Sequence, residues 1–579
     1  MPYKIIRDLC SCCHQCSVAC PVGAIQFRGT KYWIDPERCI ECGTCADLCH
    51  NNVIFKVGAE KKAEPHPTKE READVVVIGG GGTGLVAAVR IAMQSGCKVV
   101  VLEKSKNLGG NAWYAGGFRV HHCKRMQEAR VPDTRADEVR EFLEDTLWQE
   151  DPHLIKNVFD ATGAFADWLF EDCGCHDDFI VGISPMGGLG RVGMLLSENN
   201  RYQGRFKRPD PTIGPGSMGS FVVLRMAELC KEYGVEILTE CGATELLTDH
   251  GKIVGVRARD PGGEVVVNCR ACVLATGSFS RSPEILKRVN PHIYDEGEPV
   301  HFFSVPTCTG DGIRMAEAIG AEIDYTNVRA MDMGPAHHPF PFVSHIISTS
   351  PFKVHFNLEG KRWGCEFGST KYMFRKQPGR VAYAVVDSRI AEMAVHEKLE
   401  SGYDGAEGAA ALSNYEEKLE QESKLDTPLK KADTLEELAE QMGVPADVFV
   451  SEIQRYNMLC ANREDVDFFK RPDTLIPIEK PPYYAIYMKR FQENAMGGVV
   501  TDSETRVLDR NGAPIAGLFA GGDNARGVTL AGDVGRETVE DHVSALTWAF
   551  ASGFMAGGAV MEYLGESSLH VNESVWMHE

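Results

Sequence analysis

The chain has 579 residues, of which 43% are hydrophobic and 25% charged, and a formal net charge of −21. That length predicts about three domains, and the composition is that of an ordinary soluble globular protein. The acidity argues against a surface for nucleic acid, and no apolar run is long enough to predict a membrane span.

The opening residues, MPYKIIRDLC, carry neither a twin-arginine signal nor a long apolar segment, so a cytoplasmic location is expected. Nine of the twenty cysteines lie in the first fifty residues, and the other eleven are scattered. Scattered cysteines fit reduced thiols better than a disulfide framework. The dense block reads Cys10-x2-Cys13-x2-Cys16-x3-Cys20-Pro21, then Cys39-x2-Cys42-x2-Cys45-x3-Cys49-His50. This is the bacterial two-cluster ferredoxin spacing, in which the fourth cysteine of each run ligates the other cluster. It assigns Cys10, Cys13, Cys16 and Cys49 to one [4Fe–4S] cluster, and Cys39, Cys42, Cys45 and Cys20 to a second. Zinc knuckles would need paired CxxC motifs, and two matched runs of four do not suit them. The segments AIQFRG and VIFKVG follow the two runs and match each other, as an internally duplicated module requires. Residues 1–60 therefore resemble a two-[4Fe–4S] ferredoxin domain.

Residues 61–72 are charged, contain proline and show no apolar period, so they are expected to be a linker. Then Val75 to Ile78 reads as a buried strand. It runs into Gly79-x-Gly81-x-x-Gly84, a helix, and a second strand ending at Glu103. A glycine fingerprint between strand and helix, with an acidic residue about twenty positions on, points to a dinucleotide. Gly79 permits the tight turn, Gly81 lets backbone approach a pyrophosphate at the helix N-terminus, and Gly84 allows close helix–strand packing. Glu103 can accept from a ribose and disfavours a 2′-phosphate.

A second glycine cluster, NLGGNAWYAGG (107–117), follows too closely to open another such unit. VLATGSFS (273–280) and PIAGLFAGGDNA (514–525) each pair a strand with a small-residue turn. With EKSKNLGGNAWYAGG, TGDGIRMAEAIGAEI, NLEGKRWGCE, PPYYAIYM and NAMGGVVTD, these segments resemble the FAD flavoprotein family of fumarate reductase and succinate dehydrogenase. That family also holds 3-ketosteroid dehydrogenases and urocanate reductases. The resemblance covers roughly residues 73–579. It implies an α/β fold: a Rossmann-like FAD-binding domain (73–325 and 491–579) with an inserted α+β capping domain (326–490). The ferredoxin-like module precedes it. It also implies that Gly109, Gly110, Asn111, Gly117, Ala243, Thr276, Gly277 and Asp523 line the flavin, together with the adjoining Gly82, Lys104 and Gly522. The histidine that holds flavin covalently in membrane-complex members has no counterpart, so non-covalent FAD is expected. Within the cap, residues 415–444 read as a solvated helix pair.

Family members exchange a hydride between flavin N5 and carbon while a side chain passes a proton. Three departures from the fumarate pattern stand out. The proton-donating arginine falls near Thr370, Asn494 replaces a clamp histidine, and Asp533 or Arg536 stands where a clamp arginine would. Unpaired buried carboxylates would be costly, which disfavours fumarate and suits a neutral enone, a ketone-bearing ring or a substrate with a basic group. Candidate acids are Lys371, Tyr372, Arg375 and His338, beside His337. Arg362 and Glu366 of the shared motif complete the candidate catalytic set. Tyr483, Tyr484 and Tyr487 could polarise a ketone or simply form an aromatic core.

The expected function is reduction of an activated C=C bond, of an enone or an unsaturated acid and not fumarate, with electrons delivered through the clusters. Two alternatives are the reverse reaction on a ketone- or steroid-like substrate, and an electron-transfer subunit of a larger complex. The capping insert argues against the second. The implied partners are a small organic substrate and a single-electron donor or acceptor, such as ferredoxin or another redox protein. A homo-oligomer is left open, and nucleic acid is not expected.

Overall fold

The uninterrupted apolar run Val75–Ile78 folds as a strand buried on both faces, as a parallel sheet between two layers requires. In the computed structural model its side chains alternate: Val75 and Val77 enter one apolar core, Val76 and Ile78 the other. The described residues are 3–10, 15–28, 31–49, 51, 53–58, 68–115, 118–183, 192–196, 218–291, 300–302, 304–325, 332–335, 343–366, 371–400, 414–424, 428–492, 497–526 and 545–566.

The central sheet has six strands, in the order Glu236–Leu238, Val99–Leu102, Val75–Ile78, Ala271–Leu274, Pro514–Ala520 and Arg506–Leu508. The first five run parallel and the last antiparallel. The helix Gly82–Gln94 follows the first glycine turn and packs on the long C-terminal helix Ala545–Leu564. This is the α/β arrangement the glycine fingerprint implies. The sequence also places the second strand to within a residue, since Val99–Leu102 stops just before Glu103.

The cysteine module contributes two short antiparallel pairs, Tyr3–Ile5 with Ile54–Lys56 and Ile25–Arg28 with Lys31–Ile34. Its small core includes Cys10, Cys16, Cys45 and Cys49 beside Tyr32 and Val53. The cap has its own core, from Val343 to Met488, built on a sheet whose long strand Tyr483–Gln492 pairs with Val381–Asp387.

Three expectations need correction. Lys69–Glu72, expected as the end of a linker, is a strand parallel to Gly263–Asn268. Its KERE sequence lacks an apolar face because most of it is exposed, and backbone pairing holds it there, together with side-chain contacts of Lys69 to Asp260, Arg71 to Glu236 and Glu72 to Asn268. The cap does not begin cleanly at 326. His301–Phe302 already pairs with Phe491–Gln492 of the cap sheet, whereas Ile323–Asp324 returns to pair with Gly498–Val499. The helix pair in 415–444 is interrupted by a strand, Leu429–Ala432, on the cap sheet. Its helices Tyr415–Ser423 and Leu435–Met442 bury Leu419, Leu438, Ala439 and Met442, so only their outer faces are solvated.

Among the described residues, no helix is long and apolar enough to cross a membrane.

Candidate functional site

The two glycine runs meet backbone to backbone. Gly109 N–H donates to the Gly80 carbonyl at 2.8 Å, and Gly81 bridges Gly109 as an isolated parallel pair. Gly79 has φ +111°, and a Cβ there would lie 2.2 Å from the Ala275 carbonyl oxygen. A Cβ on Gly84 would lie 1.9 Å from the Gly79 carbonyl oxygen. Both positions therefore require glycine for close packing, as the fingerprint predicts. At Gly81 the nearest atom to an added Cβ is 3.8 Å away, so that carbon would project into open space.

That space is a cleft of about 980 Å³, open mouth included. Its walls include Gly79, Gly81, Gly82, Glu103, Lys104, Gly109, Gly110, Asn111, Ala243, Thr276, Gly277 and Asp523, all predicted from sequence. A long cleft with a glycine-lined floor, a helix N-terminus and a carboxylate fits a dinucleotide, and non-covalent FAD fits this donor set. Gly84 lies behind the turn. Gly522 does not line the cleft either: its N–H donates to Ser552 Oγ at 2.8 Å and its carbonyl accepts Trp548 Nε1 at 2.9 Å. It is a packing glycine, since a Cβ there would meet Thr83 Oγ1 at 2.3 Å. Gly117 and His338 lie outside the described residues.

The Glu103 carboxylate accepts two backbone N–H groups, from Gly80 at 2.8 Å and Ser105 at 2.6 Å. Burial pushes its pKa up, while those hydrogen bonds and Lys104 pull the other way. Each oxygen keeps a second lone pair, so a ribose hydroxyl can still be received. Lys104 Nζ donates to Asp311 and Thr309, each at 2.6 Å. Burial raises the Asp311 carboxyl, but Lys104 and the Thr309 hydroxyl override it and hold it below the usual range. Asn111 Oδ1 accepts Val305 N–H at 2.9 Å, and Thr276 Oγ1 donates to Asn524 Oδ1 at 2.6 Å.

Sequence reasoning missed the segment Val305–Cys308, together with Asp311 and Met315, which forms one side of the cleft. Its TGDG signal was visible only as a landmark. It also missed Asn51, which reaches the cleft from the cysteine module.

The described thiols fall into two neighbouring groups, Cys45 with Cys39, Cys42 and Cys20, and Cys49 with Cys10. Burial pushes Cys45 up to about 11, with nearby Cys39, Cys42 and Cys20 adding to the rise. Burial also raises Cys49, with Cys10 adding. Cys20 Sγ accepts the N–H of Ala24 at 3.2 Å, and Cys49 Sγ accepts that of Val53 at 3.4 Å. These matched i+4 contacts are the structural trace of the duplication, and N–H donors are what a cluster-bound thiolate needs. No three described side chains converge on a point suited to one metal ion; thiols around a cubane each bind their own iron and need not converge. Cys13 lies outside the described residues.

The candidate catalytic residues are all in the cap. Lys371 and Tyr372 open the short helix Lys371–Phe374, and Arg375 follows it, half-buried. Phe374 anchors this helix on Trp363, whose ring stacks on His355. Arg362 and Glu366 are not placed to touch a substrate. Their side chains are 2% and 0% exposed, in a network with Asp465 and Lys470. The RWGCE motif thus braces the segment that precedes the candidate acids. Tyr483 and Tyr484 are buried in the cap core, and Tyr487 packs edge-on to Tyr383, which supports the aromatic-core reading.

A sequence profile described as FAD binding domain matches residues 74–532, and one described as 4Fe-4S binding domain matches residues 32–55. The chain is 27% identical to an NADH:acrylate oxidoreductase of Vibrio harveyi, over 82% of this chain but only 49% of that protein. It thus spans about half the length of that relative. It is also 27% identical to a vinyl phenol reductase of Lactiplantibacillus plantarum, over 86% of this chain and 99% of that one. Its fold matches the open conformation of a flavocytochrome c3 fumarate reductase with a TM-score of 0.63, at 22% identity, over 85% and 78% of the two chains. With four-fifths of its length in one profile and the cleft lined by that profile's glycines, the chain belongs to the FAD binding domain family.

Proposed function

We propose that this chain is an FAD- and iron–sulfur-dependent oxidoreductase that reduces an activated C=C bond of a small organic molecule, an enone or an unsaturated acid, and not fumarate. The observation that carries this reading is the shared wall: Asn51 of the cysteine module lines the same cleft as the dinucleotide turns. A thiol block built for single-electron groups and a cleft built for FAD would have no need to touch unless electrons pass between them. The acrylate and vinyl phenol reductases among the relatives support the substrate class.

Bound FAD would supply the hydride, and two [4Fe–4S] clusters would supply electrons singly. Around them the chain binds and orients. Backbone N–H groups at Gly81 and Gly82 and the helix N-terminus face the pyrophosphate. Glu103 fixes the ribose end, and Asn111 ties the second glycine turn to the Val305 loop. The cap excludes water over the cleft, and Lys371, Tyr372 or Arg375 delivers the proton to the carbon beside the one that takes hydride. His338 stands in the same set of candidates. Every described cysteine is a free thiol, which supports a cytoplasmic, reducing location.

The test is anaerobic. Purified protein is analysed for flavin, iron and sulfide, then screened with reduced viologen against neutral enones, acrylates and fumarate. Turnover of an enone or an acrylate without fumarate is expected. Fumarate turnover at an equal rate would overturn the substrate reading, and absence of iron the cofactor reading.

A further inference from the structure

The wall that the cysteine module lends to the cleft is asymmetric. Asn51 lines the cleft and its Oδ1 accepts the Tyr114 hydroxyl at 3.1 Å. Two residues earlier, the Cys49 carbonyl accepts Asn107 Nδ2–H at 3.3 Å. Arg281 donates its backbone N–H to the Cys308 carbonyl, in the cleft wall, at 2.8 Å. Its guanidinium also lies within electrostatic reach of Cys10. Cys10 and Cys49 therefore sit on the cleft side of the module. Cys42 is exposed and Cys39 is only half-buried.

Building on the two-cluster reading above, we propose a fixed direction of electron entry. The cluster on Cys10, Cys13, Cys16 and Cys49 hands electrons to FAD past Cys49 and Asn51, and Asn107 and Tyr114 are positioning residues for that crossing. The cluster on Cys20, Cys39, Cys42 and Cys45 takes electrons from a low-potential one-electron carrier at the surface around Cys42. Each turnover oxidises two equivalents of carrier by one electron each. Two electrons and one proton make up the hydride loaded onto FAD, and the acid of the cap adds the second proton to carbon. Electron passage depends steeply on separation, so two hydrogen bonds that pin a ligand-bearing loop against the cleft set its rate.

The experiment uses the holoenzyme and no substrate. Reduced methyl viologen is mixed with the protein, flavin bleaching is followed by stopped flow, and cluster reduction by rapid-freeze electron paramagnetic resonance. Tyr114→Phe removes one hydroxyl and no bulk, and Asn51→Ala is the second variant. Both should keep full iron content and normal cluster reduction, while flavin bleaching slows several-fold. Flavin bleaching at the wild-type rate in both variants overturns the inference. So does wild-type bleaching in Cys10→Ser, which would reveal a route from dye to flavin that bypasses this cluster. Iron and sulfide below two clusters in the wild type would instead overturn the cofactor reading on which the inference rests.

Discussion

Arg362 and Glu366 form a two-point ion pair, Nε to Oε1 at 2.9 Å and Nη2 to Oε2 at 3.0 Å. The same Nη2 donates to Asp465 at 2.7 Å, and Lys470 Nζ lies 3.5 Å from Glu366. Burial alone would raise the Glu366 carboxyl, but Lys470 and Arg362 hold it down near 2. Removing one member of such a buried set leaves an uncompensated charge, at a cost of about 3–5 kcal/mol. Arg362→Met should therefore lower the melting temperature of the holoenzyme clearly while leaving the flavin-to-protein ratio of the surviving fold intact. An unchanged melting curve would mean that the network contributes no stability.

Glu422 titrates in the opposite sense. It is buried at the first turn of helix Val343–Thr349, where Ser344 donates to it from its hydroxyl and, at 3.4 Å, from its N–H. Burial outweighs those bonds and pushes its pKa up to about 8 from 4.5. Between those values the folded state binds more protons than the unfolded state, so stability falls as pH rises through that window. Glu422→Gln should melt higher than wild type at pH 8 and close to it below pH 4.5. The two melting temperatures are measured across that range, and a constant difference would contradict the assignment.

These two carboxylates also mark where sequence reading stops. The strand–turn–helix at Gly79–Gly84 was legible because its parts are contiguous and each glycine answers a local steric demand. The second cysteine run was legible as an iron–sulfur motif for the same reason, since its residues are contiguous. Glu366 looked catalytic because it belongs to a motif near the acid position. Its partner Asp465 lies about a hundred positions on, so nothing local announces the burial. The strand Lys69–Glu72 looked like linker because its pairing partner, ending at Asn268, is 196 positions away. Asn51 in the cleft wall depends on how two domains dock, which no window of sequence contains.

The glycine turn itself offers a steric test. A Cβ on Gly84 would press on the Gly79 carbonyl oxygen at 1.9 Å and on Val77 Cγ1 at 3.1 Å, both on backbone or core that cannot yield. Overpacking of this kind costs about 1–3 kcal/mol, and here the shift falls on the turn that receives the pyrophosphate. Gly84→Ala should be isolated with little flavin and a lowered melting temperature. Gly96→Ala is the control, because an added Cβ there meets nothing within 4 Å. Equal flavin content in the two variants would separate the turn from cofactor binding.

The proton donor is the last open assignment, and the cap narrows it. Phe374 is buried on Trp363, 6.1 Å between centroids, and Trp363 stacks on His355 at 5.4 Å and 10°. Burial holds His355 neutral, with its pKa down near 3, so this stack is a rigid, uncharged support for the helix Lys371–Phe374. A supported short helix gives the residues it carries one fixed position, which proton transfer to carbon requires. Lys371→Met, Tyr372→Phe, Arg375→Met and His338→Gln are compared for kcat with reduced viologen and the best enone from the screen. One of them should lose about 10²–10⁴-fold in kcat, with flavin content and the rate of flavin reduction by viologen unchanged. Retention of kcat in all four would move the acid out of this part of the cap.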